Sequence, residues 1–179
     1  GSAEVSAKIT VTLFSSVGFN QEYITKVSED GTWSVFLGIG DELTPLPQGT
    51  YFYRVDSIDL AGNATFTVGN LTIDTETILS GSLDASSDSG LEQGDKITNE
   101  KTPSFSGMTE AGANVSVTIS GTTINGLAVN ITSAAIVQTN GSWSYTSKTL
   151  ADGNYSMTAV ATDIAGNREI ITEEFVVDT

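Results

Sequence analysis

GTYFYRVDSIDLAGN at 49–63 and GNYSMTAVATDIAGN at 153–167 are one stretch written twice. Tyr51 matches Tyr155, Asp59 matches Asp163, and both copies end in Asp-x-Ala-Gly-Asn, at an offset of 104 residues. Asp74-Thr75 matches Asp178-Thr179 at the same offset. Working outward, DGTWS at 30–34 matches NGSWS at 140–144 at an offset of 110, so the first copy holds six extra residues between its Trp and its Tyr. Further upstream, AKITVTL at 7–13 matches ANVSVTI at 113–119 at an offset of 106. The chain is a tandem repeat, with one copy in residues 1–74 and a second in 75–179. The copies are unequal. The first has no counterpart of SGSLDASSDSGLEQGDKITNEKTPSF at 80–105, which includes a first strand, and Gly1-Ser2 reads as a vector scar.

The local pattern is strand throughout. VSVTIS, SWSYT, YSMTAVAT and EIITEEFVV alternate or cluster β-branched and aromatic residues in short runs. Asn-Gly, Asp-Gly and Ala-Gly-Asn separate them and supply the positive φ that tight hairpins need. No window of helical length keeps a 3.6-residue apolar period. Strands this short, in a repeat of about 100 residues, predict an all-β chain of tandem Ig-like sandwiches, about seven strands each. Tyr155 stands where such a fold places a tyrosine corner. Trp33 and Trp143 read as anchors between the sheets rather than as platforms for carbohydrate.

Composition narrows the chemistry. With 22 Asp plus Glu against 7 Lys plus Arg the net charge is −15, and there is no His and no Cys. A Ser-His-Asp or Cys-His nucleophile system, a His/Cys zinc site and a disulfide are therefore all excluded. The acidic balance opposes binding to nucleic acid or to an anionic membrane surface. No apolar run is long enough for a spanning helix, so no membrane insertion is expected.

The acids are not spread evenly. Between Asp74 and Glu100 lie Asp74, Glu76, Asp84, Asp88, Glu92, Asp95 and Glu100, offset by Lys96. One reading is a solvated acidic linker. The other is a calcium site, because calcium takes six to eight oxygens from carboxylates, Asn side chains and carbonyls. Asp-x-x-x-Asp-Ser-Gly followed by Gly-Asp-x-x-Thr-Asn carries such oxygens on turns and is not an EF-hand loop. Sandwich topology puts the F–G turn at the pole where the chain enters a domain. It therefore predicts that Asp74, the Asp84/Asp88/Asp95 turn, and Asp163 with Asn167 converge at one junction. Asp59 and Asn63 then form the first copy's half-site, and Asp178 a half-site for a following domain. Asp41 and Glu42, in the six-residue insertion, read as a solvated loop facing the junction.

LDASSDSGLEQGDKITNEKTPSFSG, the Trp turn, LADGNY, ATDIAGN and the closing VDT together resemble the bacterial Ig-like (BIg) repeats of giant non-fimbrial, SiiE-like adhesins exported by type I secretion. The likeness covers nearly all of 75–179 and part of 1–74. It implies calcium (Ca2+) as cofactor at Asp-rich junctions, with Asp74, Asp84, Asp88, Asp95, Asp163 and Asn167 as ligands. It also implies an extracellular or bacterial cell-surface location. The expected partners are neighbouring repeats of the same chain, with the host cell engaged through other domains and the chain itself monomeric.

Three function classes follow. The first is a structural spacer stiffened by calcium. The second is a binding module for host glycan or protein, for which Phe19, Tyr23 and Phe36 are candidates because the second copy has no counterparts. The third, an enzyme, is disfavoured, since paired carboxylates need a cleft with one of them desolvated and these acids fall on turns.

Overall fold

The computed structural model describes residues 1–40 and 44–179 and divides into two units, Gly1–Asp74 and Thr75–Thr179. Every regular element among the described residues is a β-strand, and no helix is long and apolar enough to cross a membrane. Asp41 and Glu42 lie outside the described residues.

The first unit is one antiparallel sheet, in the order β2-β1-β3-β4, built from β1 (Lys8–Ser15), β2 (Asn20–Lys26), β3 (Gly49–Ile58) and β4 (Ala64–Ile73). Period-two alternation sets its faces: Ile9, Val11 and Leu13 of β1 point inward, while Lys8 and Phe14 face solvent. Phe19 packs edge-on against Tyr51 at 5.4 Å between ring centroids. Tyr23 is buried, and its hydroxyl donates to the Gly38 carbonyl at 2.5 Å. Phe19 and Tyr23 are thus core residues rather than a recognition surface, and Phe36 alone of the three stands out, 80% exposed. The expected seven strands are not reached here. Four are present among the described residues, and the opposing layer is reduced to the stretch from Trp33 to Leu37 and a bridge between Ser2 and Thr32.

The second unit is a complete sandwich. Its strands are β5 (Leu79–Leu83), β6 (Ile97–Thr98), β7 (Ser104–Thr109), β8 (Asn114–Thr123), β9 (Ala128–Ala134), β10 (Ile136–Val137), β11 (Ser142–Thr146), β12 (Gly153–Thr162) and β13 (Arg168–Val177). They form two sheets, β10-β11-β7-β5 and β6-β13-β12-β8-β9. The leading segment is split between them: β5 pairs with β7, and β6 pairs in parallel with the far end of β13. Inward alternation along β12 buries Tyr155, Met157, Ala159 and Ala161. Tyr155 and Phe175 stack at 5.6 Å, and Phe105 meets Phe175 edge-on at 5.2 Å, contacts worth roughly 0.5–1.5 kcal/mol each beyond the area they bury.

Trp143 is 1% exposed and explains a pair of glycines. Gly81 and Gly107 stand directly opposite each other on β5 and β7. A Cβ at Gly81 would lie 2.2 Å from the Trp143 ring, and one at Gly107 would lie 1.9 Å from the Ser80 carbonyl oxygen. The indole N–H donates to that same carbonyl at 2.9 Å. The entries to β12 and β3 are closed in the same way: the Tyr155 hydroxyl donates to Ala151 O at 2.8 Å and the Tyr51 hydroxyl to Pro47 O at 2.9 Å.

Candidate functional site

The β12–β13 turn of the second unit holds the most organised carboxylate. Asp163 directly follows β12, and its Oδ1 accepts from the amides of Gly166 (2.7 Å) and Asn167 (2.8 Å), while Oδ2 accepts from Asn167 Nδ2 (2.8 Å). Gly166 has φ +96°, the left-handed conformation that lets the turn fold back on its own carboxylate. Burial alone would raise the Asp163 pKa. The hydrogen bonds from the Asn167 side chain and from the amides of Asn167, Gly166 and Ala165 hold it below the ordinary value. The side chain is therefore fixed in place and anionic.

Sequence reasoning missed the neighbour of this group. Glu110, half-buried in the turn after β7, brings a carboxylate oxygen within 4.8 Å of one from Asp163. The repeat carried the signal, because Glu4 matches Glu110 at the offset of 106 and Ser6 matches Gly112, both with positive φ. At the same pole Asn167 Nδ2 also reaches the Glu76 carbonyl at 3.4 Å, and a shallow recess runs along Thr75, Glu76, Thr77, Asn167, Arg168 and Glu169.

The acids of the leading segment lie elsewhere, and the expected convergence fails for them. Lys96 O accepts from Val176 N at 2.9 Å, eight residues along β13 from Arg168. At about 3.3 Å per residue that is roughly 26 Å from the Asp163 turn. The reason is that β5 carries the chain away from the pole before the acidic loop begins. Glu173, midway along β13, pins this loop: its Oε2 accepts from Leu83 N at 2.6 Å and its Oε1 pairs with Lys96 Nζ at 3.0 Å.

Within the loop the three predicted residues differ. Asp84 is half-buried, and its Oδ1 accepts from the Ser106 hydroxyl. Asp95 is exposed, and its Oδ1 caps Ile97 N at 3.0 Å. Asp88 is only 4% exposed. Its Oδ2 accepts from Gly94 N, while its Oδ1, fully buried, has no hydrogen-bond partner among the described residues. A buried carboxylate oxygen without a donor costs free energy unless something positive meets it.

The remaining predicted ligands occupy separate places. Asp178 is exposed past the end of β13, where its amide donates to Thr98 O at 2.9 Å, at the opposite pole from Asp163. Asp74 is half-buried directly after β4 in the first unit. Asp59 repeats the Asp163 arrangement: its Oδ1 accepts from Asn63 N (2.8 Å) and its Oδ2 from Asn63 Nδ2 (2.7 Å). These bonds, the side-chain one foremost, lower its pKa. Asp59, Asn63 and Glu4 line one groove of about 380 Å³, so the first unit carries the same trio of Asp, Asn and Glu.

Comparison with known proteins adds to this geometry. The family model described as bacterial Ig-like domain matches residues 77–179. No curated protein matches the chain. Among solved structures, it is similar to the crystal structure of a tetra-tandem repeat in the extending region of a large adhesion protein, at 26% identity and a TM-score of 0.44 over 99% of this chain and 43% of that one. It is also similar to a structure reported for host cell surface retention of a 1.5-MDa bacterial ice-binding adhesin, at 22% identity and a TM-score of 0.42 over 99% of this chain and 55% of that one. The chain thus spans about half the length of these relatives, or less.

Proposed function

The chain belongs to the bacterial Ig-like domain family, and we propose on that premise that it is a spacer of a large bacterial surface adhesin whose repeats are stiffened by calcium at their junctions. The observation that carries this reading is the pairing of Glu110 and Asp163, two carboxylates within 4.8 Å in one unit. Like charges this close repel unless a cation is shared. Two oxygens on opposite sides of a calcium ion, each at 2.3–2.6 Å, stand about 4.6–5.2 Å apart, so the spacing fits the ion. Asp74 is the third ligand in this reading. It is the last residue of the first unit, one bond before Thr75.

A second calcium position follows from Asp88, whose unpartnered Oδ1 is the oxygen a cation would take, with Asp84 and Asp95 on the same loop. Calcium there would tie the crossing between the two sheets to β13 and leave the junction to the pole. Bound at both places, the ion supplies the positive charge that a chain of net −15 lacks. The role is mechanical and non-catalytic, outside the cell, with adhesion itself left to other domains. A calorimetric titration tests it: calcium should bind with heat, and magnesium, which demands a tighter octahedral shell, should not compete at equal concentration. Calcium heats no larger than those of magnesium would refute the calcium reading.

One observation favours the alternative of a binding module. The outer face of the first unit's sheet carries stacked Phe14 and Phe52, 5.7 Å apart, and Phe66 beneath the Arg54 guanidinium at 4.1 Å. The matching positions in the second unit include Ser120, Ser156 and Thr158. A glycan array separates the two readings, since a spacer gives no signal.

A further inference from the structure

From Ala111 to Ser147 the chain carries no Asp, Glu, Lys or Arg, although its net charge is −15. That stretch supplies β8, β9, β10 and β11, so one flank of the second unit is without charge in both sheets. On this flank β9 is the last strand of its sheet, in the order β6-β13-β12-β8-β9. Its counterpart in the first unit, β2, carries Glu22 and Lys26, charges of the kind that keep an edge strand from pairing. By contrast β9, with the sequence AVNITSA, has no charge and no proline, and its register with β8 is unbroken from Ala128 to Ala134. Five of its seven residues are exposed.

The ladder shows which backbone groups point away from β8. Ala135 N donates to Val115 O and Thr123 N to Leu127 O, so close pairs fall on the odd-numbered residues along β9. By antiparallel alternation Val129, Ile131 and Ser133 bond to β8, whereas Ala128, Asn130, Thr132 and Ala134 turn their N–H and C=O groups outward. The strand is also symmetric about Ile131: Asn130 and Thr132 flank it, Val129 and Ser133 follow, and an alanine closes each end.

We infer that β9 pairs antiparallel with β9 of a second copy of this chain, with the two-fold axis at Ile131. In that register Asn130 meets Thr132 and Ala128 meets Ala134, each pair occurring twice and exchanging two hydrogen bonds. Every outward N–H and C=O of the strand is then satisfied, and a shift of two residues would leave some unpaired. Ile131 faces itself across the axis, and no charge opposes another. Leu127, 68% exposed, falls opposite Ala135 and beside Ile136, 65% exposed, of the second copy, so an apolar contact closes the ladder at each end. The contact is isologous, one patch used twice. With one strand from each copy it belongs to the small, weak class of interface. None of the acids assigned to calcium lies in this stretch, so the inference stands apart from that reading.

The test is sedimentation equilibrium of the full chain in EGTA, from about 10 μM to about 1 mM. A reversible monomer–dimer equilibrium is expected, strengthened by added salt, which screens the repulsion between two acidic chains. Asn130→Pro removes an N–H that β8 does not use, and Thr132→Lys places a charge at the seam while making the chain less acidic. Each should weaken the dimer at least about tenfold, with an unchanged melting temperature at low concentration showing that it folds. The chain has no Cys, so a single introduced thiol reports the register. Facing Ile131→Cys residues, with Cα atoms about 4.5 Å apart, should cross-link under oxidation. Ser133→Cys residues, roughly 13 Å apart across the pair, should not. A monomer at every concentration, association undiminished in both edge variants, or Ser133→Cys cross-linking as fast as Ile131→Cys would overturn the inference.

Discussion

Asp88→Asn separates a calcium ligand from a structural hydrogen-bond acceptor, because the two roles predict opposite signs. In EGTA the wild-type carboxylate is buried with one oxygen unpartnered, and its charge is a cost to folding. An Asn oxygen still accepts from Gly94 N and the charge is gone. The variant should therefore match wild type within about 1 kcal/mol, or exceed it. Calcium reverses the order. A ligand at a hundred times its Kd stabilises the native state by about 2.7 kcal/mol. In a unit of this size that raises the melting temperature by roughly 10–15 °C for wild type and far less for the variant. The assay is differential scanning calorimetry of both proteins in EGTA and in millimolar calcium, with magnesium as control. If Asp88→Asn loses the same stability in EGTA as in calcium, Asp88 only holds Gly94 and is not a calcium ligand.

Further outcomes can be checked alongside it. Glu110→Gln should weaken calcium binding at least about tenfold by calorimetry, and an unchanged affinity would remove Glu110 from the site. Gly81→Val within the chain should destabilise the second unit by about 1–3 kcal/mol, read from urea midpoints at constant m, because the Trp143 ring has nowhere to go. Tyr51→Phe and Tyr155→Phe should each cost about 0.5–1.5 kcal/mol, since both leave one carbonyl without its donor. Asp59 and Asp163 both have lowered pKa values. Their contribution is complete above the unfolded value of about 3.9 and is lost as pH falls through the lower folded value. Melts in EGTA should therefore decline below about pH 4, and Asp163→Asn should flatten that decline.

Much of the fold could be read directly because the repeat compares the chain with itself. The tyrosine corner, the Asp-x-Ala-Gly-Asn turn and Trp143 all follow from matched residues at fixed offsets. Glu110 escaped because a lone Glu in a turn has no local signature. Only its match with Glu4, and the shared positive φ two residues later, single it out. The acidic loop was misplaced for a different reason. Counting carboxylates fixes their number but not their height along the sandwich, and five residues of β5 are enough to carry them far from the pole. Phe19 and Tyr23 lack counterparts because the first unit packs its core differently, which sequence comparison cannot tell from a surface adapted to a ligand.

The split leading strand has a consequence under load. In the second unit the chain arrives near Thr75 and departs after Val177, and β6 runs parallel to β13 beside that exit. Tension along the polypeptide draws these two strands in opposite directions along their common axis. The bonds from Val176 N to Lys96 O and from Asp178 N to Thr98 O are then sheared together, and neither opens ahead of the other. Lys96 and Glu173 lie across the same seam. Load entering at Thr75 meets the ladder of β5 on β7 first and this seam second, so the rate at which these two short pairings fail, rather than the equilibrium stability of the sandwich, sets how long the unit holds.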